Sequence, residues 1–97
     1  MSASSFPASV AFVDAFKAEY NGAPDQFAAQ AYTAAWTAAL AIKNAGSTDR
    51  AAVRDALAKI KDFDSPLGKF AFDAGRDPVH EPVVLAVSGG KFEVFKP

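Results

Sequence analysis

Residues 24–44 read PDQFAAQAYTAAWTAALAIKN. Pro24 suits the first turn of a helix, where its missing N–H is not needed. Asp25 follows where a carboxylate meets the positive end of the helix dipole. The polar residues Gln26, Gln30, Thr33 and Thr37 fall at offsets of 0, 4, 7 and 11. A helix gathers these positions into one narrow stripe. Every other face carries alanine, an aromatic ring or an aliphatic chain. A helix that is apolar nearly all round is expected to be buried, and its alanines let neighbours approach closely; two modest helices and a small sheet hardly suffice to cover it, so more protein is expected around it. Gly46 is well placed to end it.

On the N-terminal side, residues 1–7 read as a disordered lead-in. Val10, Val13, Phe16 and Tyr20, widened by Phe12, then mark the buried stripe of a first helix. Asn21-Gly22 stops it. On the C-terminal side, Ser47 or Thr48 caps a third helix, with Asp49 near its start. Val53, Leu57 and Ile60 form its apolar stripe, and its end is expected near residues 61–63.

Beyond that point the period changes. Residues 67–72 alternate like a half-buried strand, and residues 73–78 form a turn. Residues 83–87 are a β-branched run. Ser88-Gly89-Gly90-Lys91 signals a hairpin, and Phe92, Val94 and Phe95 close the chain as a third strand. The expected order is three helices followed by a three-stranded antiparallel β element. The helical part covers residues 8–63 and the strands residues 64–97.

The 97 residues suffice for one domain, and 51% of them are hydrophobic. So rich an apolar supply in so small a domain suggests surface meant for a partner. The net charge of −1 comes from 10 basic and 11 acidic residues with no basic cluster, which argues against nucleic-acid binding. The absence of cysteine excludes disulfides, thiol nucleophiles and cysteine metal sites. No apolar run reaches the ~20 residues needed to cross a bilayer. The first five residues lack the basic and apolar regions of a signal peptide.

No constellation points to catalysis. His80, the single histidine, lies in the Pro-rich turn 78–82 without the further ligands a metal needs. Residues 73–77, DAGRD, lack the ligand pattern of a calcium loop. Gly89-Gly90 has no strand-to-helix context for phosphate. Asp62 and Asp64 read as helix-end residues, and no cofactor site is implied. The aromatic residues Phe12, Phe16, Tyr20, Phe27, Tyr32 and Trp36 carry helical spacing, which favours packing over base stacking.

The order of these motifs is nevertheless specific. FVDAFKAEY (12–20) is followed by NGAPD (21–25) and FAAQAY (27–32), then by AIKNAGSTD (41–49), VRDAL (53–57), LGKFAFD (67–73), DPV (77–79) and GGKF (89–92). Together they resemble the C-terminal part of the type I periplasmic binding proteins that serve ABC importers, nearest the leucine/isoleucine/valine-binding group. The resemblance runs from about residue 6 to residue 97. It implies a longer, extracytoplasmic, two-lobed α/β protein that closes on a small ligand and docks on importer membrane subunits. The ligand would be an amino acid, an amide or an aromatic acid. It implies that the three helices belong mainly to one lobe and that the strands run through the last hinge crossing. It also places Phe27 against the ligand side chain, with Gln26 and Gln30 beside it, although packing into the core is an equal reading for Phe27. The ligand's charged groups would be held by other parts of the protein. Two alternatives stay open: a module that self-associates through exposed apolar helix surface, and part of a ligand-sensing regulator with the same fold.

Overall fold

The computed structural model describes residues 7–80 and 82–95. The expected lead-in therefore falls outside the described residues except for Pro7, which is the first residue of a helix. Three helices come first: α1 (Pro7–Tyr20), α2 (Gln26–Ala45) and α3 (Arg50–Ala58). Five short strands follow: β1 (Phe63–Ser65), β2 (Gly68–Phe72), β3 (Pro78–Val79), β4 (Leu85–Ser88) and β5 (Lys91–Val94).

The helix ends follow their capping chemistry. The Asp25 carboxylate accepts the Ala28 N–H at 2.8 Å, which makes Asp25 the N-cap of α2. Gly46 takes the left-handed conformation (φ 68°) and donates its N–H to the Ile42 carbonyl at 3.0 Å. The N-cap of α3 is Asp49, not Ser47 or Thr48. Its carboxylate accepts the Ala52 N–H at 3.2 Å, while the Ser47 hydroxyl accepts the Asp49 N–H at 2.8 Å. The α3 helix also ends sooner than the sequence suggests. The Lys59 and Ile60 N–H groups turn back to the Ala56 and Leu57 carbonyls, and Asp62 adopts a positive φ (53°) that sends the chain into β1.

β1, β2 and β3 form one antiparallel sheet in that order, and β4 and β5 form a separate hairpin. The three strands read from sequence thus become five. Residues 63–65 pair with residues 68–70, and Pro78–Val79 adds to the other edge of β2. Ser65 closes the β1–β2 turn: its hydroxyl donates to the Gly68 carbonyl at 2.7 Å and accepts the Leu67 N–H at 3.1 Å. Gly89 and Gly90 both have positive φ, as a two-residue hairpin turn requires. The β4–β5 register sets Leu85, Val87, Phe92 and Val94 on one apolar face.

The core has two centres. Phe12, Val13 and Ala29 form one, between α1 and α2. Ala41, Ala56 and Ile60 form the other, between α2 and α3. Thr33 and Thr37 lie between them, 2% and 4% exposed. Their hydroxyls donate to the Ala29 and Thr33 carbonyls at 2.8 and 2.7 Å. Each polar need is therefore met within the helix, and the methyl groups are free to pack. The Ser9 hydroxyl donates to the Pro66 carbonyl and ties α1 to the β1–β2 turn.

Within this chain α2 is covered on one side only, as expected for a helix whose full enclosure needs further protein. Its buried residues are Ala29, Thr33, Thr37 and Ala41, a row of small side chains that brings its neighbours close. Phe27, Tyr32, Trp36 and Ile42 remain exposed. α1, α3 and the first sheet occupy one side of the helix only; Tyr32 reaches Phe12 of α1 at that side's edge, with ring centroids 4.9 Å apart. The accessible surface, 7004 Å², exceeds the roughly 5,300 Å² of a compact monomer of this mass. The radius of gyration, 15.2 Å, likewise exceeds the about 12.5 Å typical of this length.

Candidate functional site

The start of α2 combines two amides and one ring. Gln26 and Gln30 stand one turn apart on the same side, and both are exposed. Phe27 lies beside Gln26 and is 67% exposed within this chain. A phenyl ring offers apolar contact, and glutamine amides supply two donors and one acceptor carbonyl each. The set is suited to holding a small molecule without reacting with it.

The helix terminus itself is partly neutralised. Asp25 already caps it, and its carboxylate meets the dipole where an incoming anion would sit. A ligand carboxylate is thus poorly served here, whereas an apolar side chain meets Phe27 without electrostatic penalty.

Gln30 also edges a groove of about 570 Å³ between α2 and the first sheet. Its walls include Thr33, Thr37, Leu57, Phe70 and Phe72, and His80 closes one end. His80, read from sequence as a solvated turn residue, is exposed but stacks on Phe70 with ring centroids 6.3 Å apart and planes 17° apart. Phe70 in turn meets Phe72 edge-on at 5.2 Å. Sequence reasoning missed this groove because it depends on β3 folding back beside β2. Gln26 and Phe27 do not line it, so the structure places the three predicted residues at one helix end but not in one cavity.

A second, larger groove of about 740 Å³ runs between α1 and α2. Phe12, Phe16, Tyr20, Tyr32 and Trp36 line it. The rings form a contiguous series: Phe12 to Tyr32 at 4.9 Å, Phe12 to Phe16 at 5.9 Å, Phe16 to Tyr20 at 4.7 Å and Tyr32 to Trp36 at 6.3 Å.

Charged groups are sparse near α2. Lys69 pairs with Asp64 at 2.6 Å on β2 and β1. The hydrogen bond to Asp64, and then its charge, raise the lysine above its ordinary 10.5. Among the described residues no group of three or more His, Asp or Glu side chains could hold a metal ion. No described helix is long and apolar enough to cross a membrane.

Comparison with known proteins agrees with this architecture. The family model for periplasmic binding protein matches residues 2–91. The leucine-binding protein LivK of Thermotoga maritima is 29% identical and superposes with a TM-score of 0.84, covering 97% of this chain and 27% of its own. The branched-chain amino acid transporter substrate-binding protein LivJ of Streptococcus pneumoniae, solved with isoleucine, is 37% identical (TM-score 0.80; 94% and 26%). An ABC transporter solute-binding protein of R. palustris, solved with benzoate, is 31% identical (TM-score 0.82; 91% and 25%). The chain spans about a quarter of the length of these proteins. With its three helices and short antiparallel strands, it belongs to the type I periplasmic binding protein family.

Proposed function

We propose that the chain is the C-terminal segment of an extracytoplasmic solute-binding protein and supplies one rim of its ligand cleft. Phe27 contacts the apolar part of the solute, and Gln26 and Gln30 contact its polar part. The solute is an amino acid or a related small organic acid or amide, delivered to the membrane subunits of an ABC importer. Capture works by closure of two lobes and involves no covalent step.

The observation that carries this reading is the exposed Phe27 ring at the head of a helix whose surroundings superpose on solute-binding proteins. An aromatic ring left two-thirds open on an otherwise alanine-rich helix has no packing role in this chain. The neutralised helix terminus fits a solute that presents its apolar side here and its charged groups elsewhere.

Because one rim is only part of a site, calorimetry of the 97-residue chain with leucine, isoleucine or benzoate should give dissociation constants no tighter than about 1 mM. Saturable micromolar binding by this chain alone would overturn the divided-site reading.

A further inference from the structure

Asn21-Gly22-Ala23-Pro24-Asp25 joins α1 to α2. Asn21 closes α1: its φ of 60° lies in the left-handed region, and its N–H donates to the Lys17 carbonyl at 2.9 Å. Asparagine takes this conformation more readily than most residues. Gly22 meets no such demand. Its φ is not positive, and a Cβ added to it would meet nothing within 4 Å. Its N–H reaches no backbone carbonyl among the described residues. Asn21, Gly22 and Ala23 are all exposed. A polar loop whose backbone N–H depends on water belongs at a surface in a longer protein as well as in this chain.

We propose that Asn21 is a site of spontaneous covalent modification, deamidation through a cyclic imide formed with Gly22. The Gly22 backbone nitrogen gives up its proton and attacks the Asn21 Cγ carbon. A new N–C bond forms, the Cγ–Nδ2 bond breaks, and Nδ2 leaves as ammonia with that proton. Water then adds to either carbonyl carbon of the ring. The ring C–N bond at that carbon breaks, and a proton returns to the Gly22 nitrogen. One opening gives aspartate. The other gives isoaspartate, whose main chain runs through Cβ and Cγ.

Two features single out this position. Glycine leaves the attacking nitrogen without a neighbouring side chain, and no carbonyl holds its N–H. The chain's other asparagine, Asn44, meets neither condition. It lies inside α2, and Ala45 follows with its N–H in the helix ladder. Asparagine is a thermally labile residue, and here position decides which of the two is at risk. Either product sets a carboxylate at the negative end of the α1 dipole. Isoaspartate also lengthens the backbone by one carbon ahead of buried Pro24 and exposed Phe27. The chemistry is independent of the proposed solute rim, and neither reading depends on the other.

Peptide mapping by mass spectrometry tests the proposal. After prolonged incubation of the 97-residue chain in neutral buffer, the peptide containing Asn21 should gain one mass unit. It should split into aspartate and isoaspartate forms, the second a substrate for an isoaspartyl methyltransferase. The peptide containing Asn44 should stay unchanged. Gly22→Ala, whose methyl enters open space, should keep the wild-type circular dichroism. It should slow the conversion by about tenfold, equal to about 1.4 kcal/mol on the barrier. An unchanged Asn21 peptide overturns the proposal. So does conversion of Asn44 at the same rate, or a Gly22→Ala chain that converts as fast as wild type.

Discussion

Truncating Ile60 to alanine should destabilise this protein far more than truncating the larger Phe27. Ile60 is 3% exposed and packs with Ala41 and Ala56 where α2 meets α3. The change removes three buried carbons, about 2.4 kcal/mol at ~0.8 kcal/mol each. A cavity term adds to this, because the other two buried members of that centre are alanines and cannot expand into the gap. An expected loss of about 3–4 kcal/mol follows, within the range for such truncations. Phe27→Ala removes more atoms from a ring that is mostly in water already, so its cost should stay below about 1 kcal/mol. Urea unfolding followed by circular dichroism measures both. With a slope of about 1.5 kcal/mol/M, Ile60→Ala lowers the midpoint by about 2 M and Phe27→Ala by less than about 0.7 M. Equal losses, or a larger loss for Phe27, would refute the assignment of Ile60 to the core and Phe27 to the surface.

Backbone conformation supports a second pair of changes. Gly46→Ala should cost about 1 kcal/mol, because the left-handed cap is strained for alanine although nothing lies near the added methyl. Arg76→Gly should stabilise by up to about 1 kcal/mol, since Arg76 holds φ 69° in the β2–β3 turn. Unfolding midpoints moving the other way would contradict both. Ser9→Ala leaves the buried Pro66 carbonyl without its partner and should cost about 1–3 kcal/mol. Hydrogen exchange should then show α1 opening before α2, and uniform protection would count against that link. Lys69 carries a raised pKa, so its pairing with Asp64 stabilises the fold below the ordinary lysine value and is lost as pH rises through the higher folded value. Unfolding midpoints of wild type and Lys69→Gln should therefore converge above pH 10.5, and a constant gap would contradict the pairing.

Much of the fold was legible because local chemistry and pattern agreed. Asn21-Gly22, Gly46 and Gly89-Gly90 each sit where the chain turns, and helical spacing marked all three helices. The period change after α3 announced the strands. What the pattern did not show is which row of α2 this chain itself covers. Hydrophobicity alone favours the rows of Tyr32 and Trp36, yet the row buried within this chain is Ala29, Thr33, Thr37 and Ala41. Small side chains let helices and sheet approach closely, and threonine hydroxyls can satisfy themselves on their own helix, a fact invisible to a polarity pattern. The strand Pro78–Val79 was missed because two residues carry no alternation. Gln26, Phe27 and Gln30 were singled out through the order of motifs, since an alanine-rich helix head carries no catalytic or metal pattern of its own. The stack of His80 on Phe70 joins residues ten apart through a turn and left no trace in spacing.

Mapping amide chemical shifts of the 97-residue chain during titration with isoleucine and with benzoate probes the proposed rim most directly. Weak but progressive shifts should centre on Gln26, Phe27 and Gln30 and vanish in Phe27→Ala. Shifts centred instead on the aromatic groove of α1 and α2, or none at the head of α2, would contradict it.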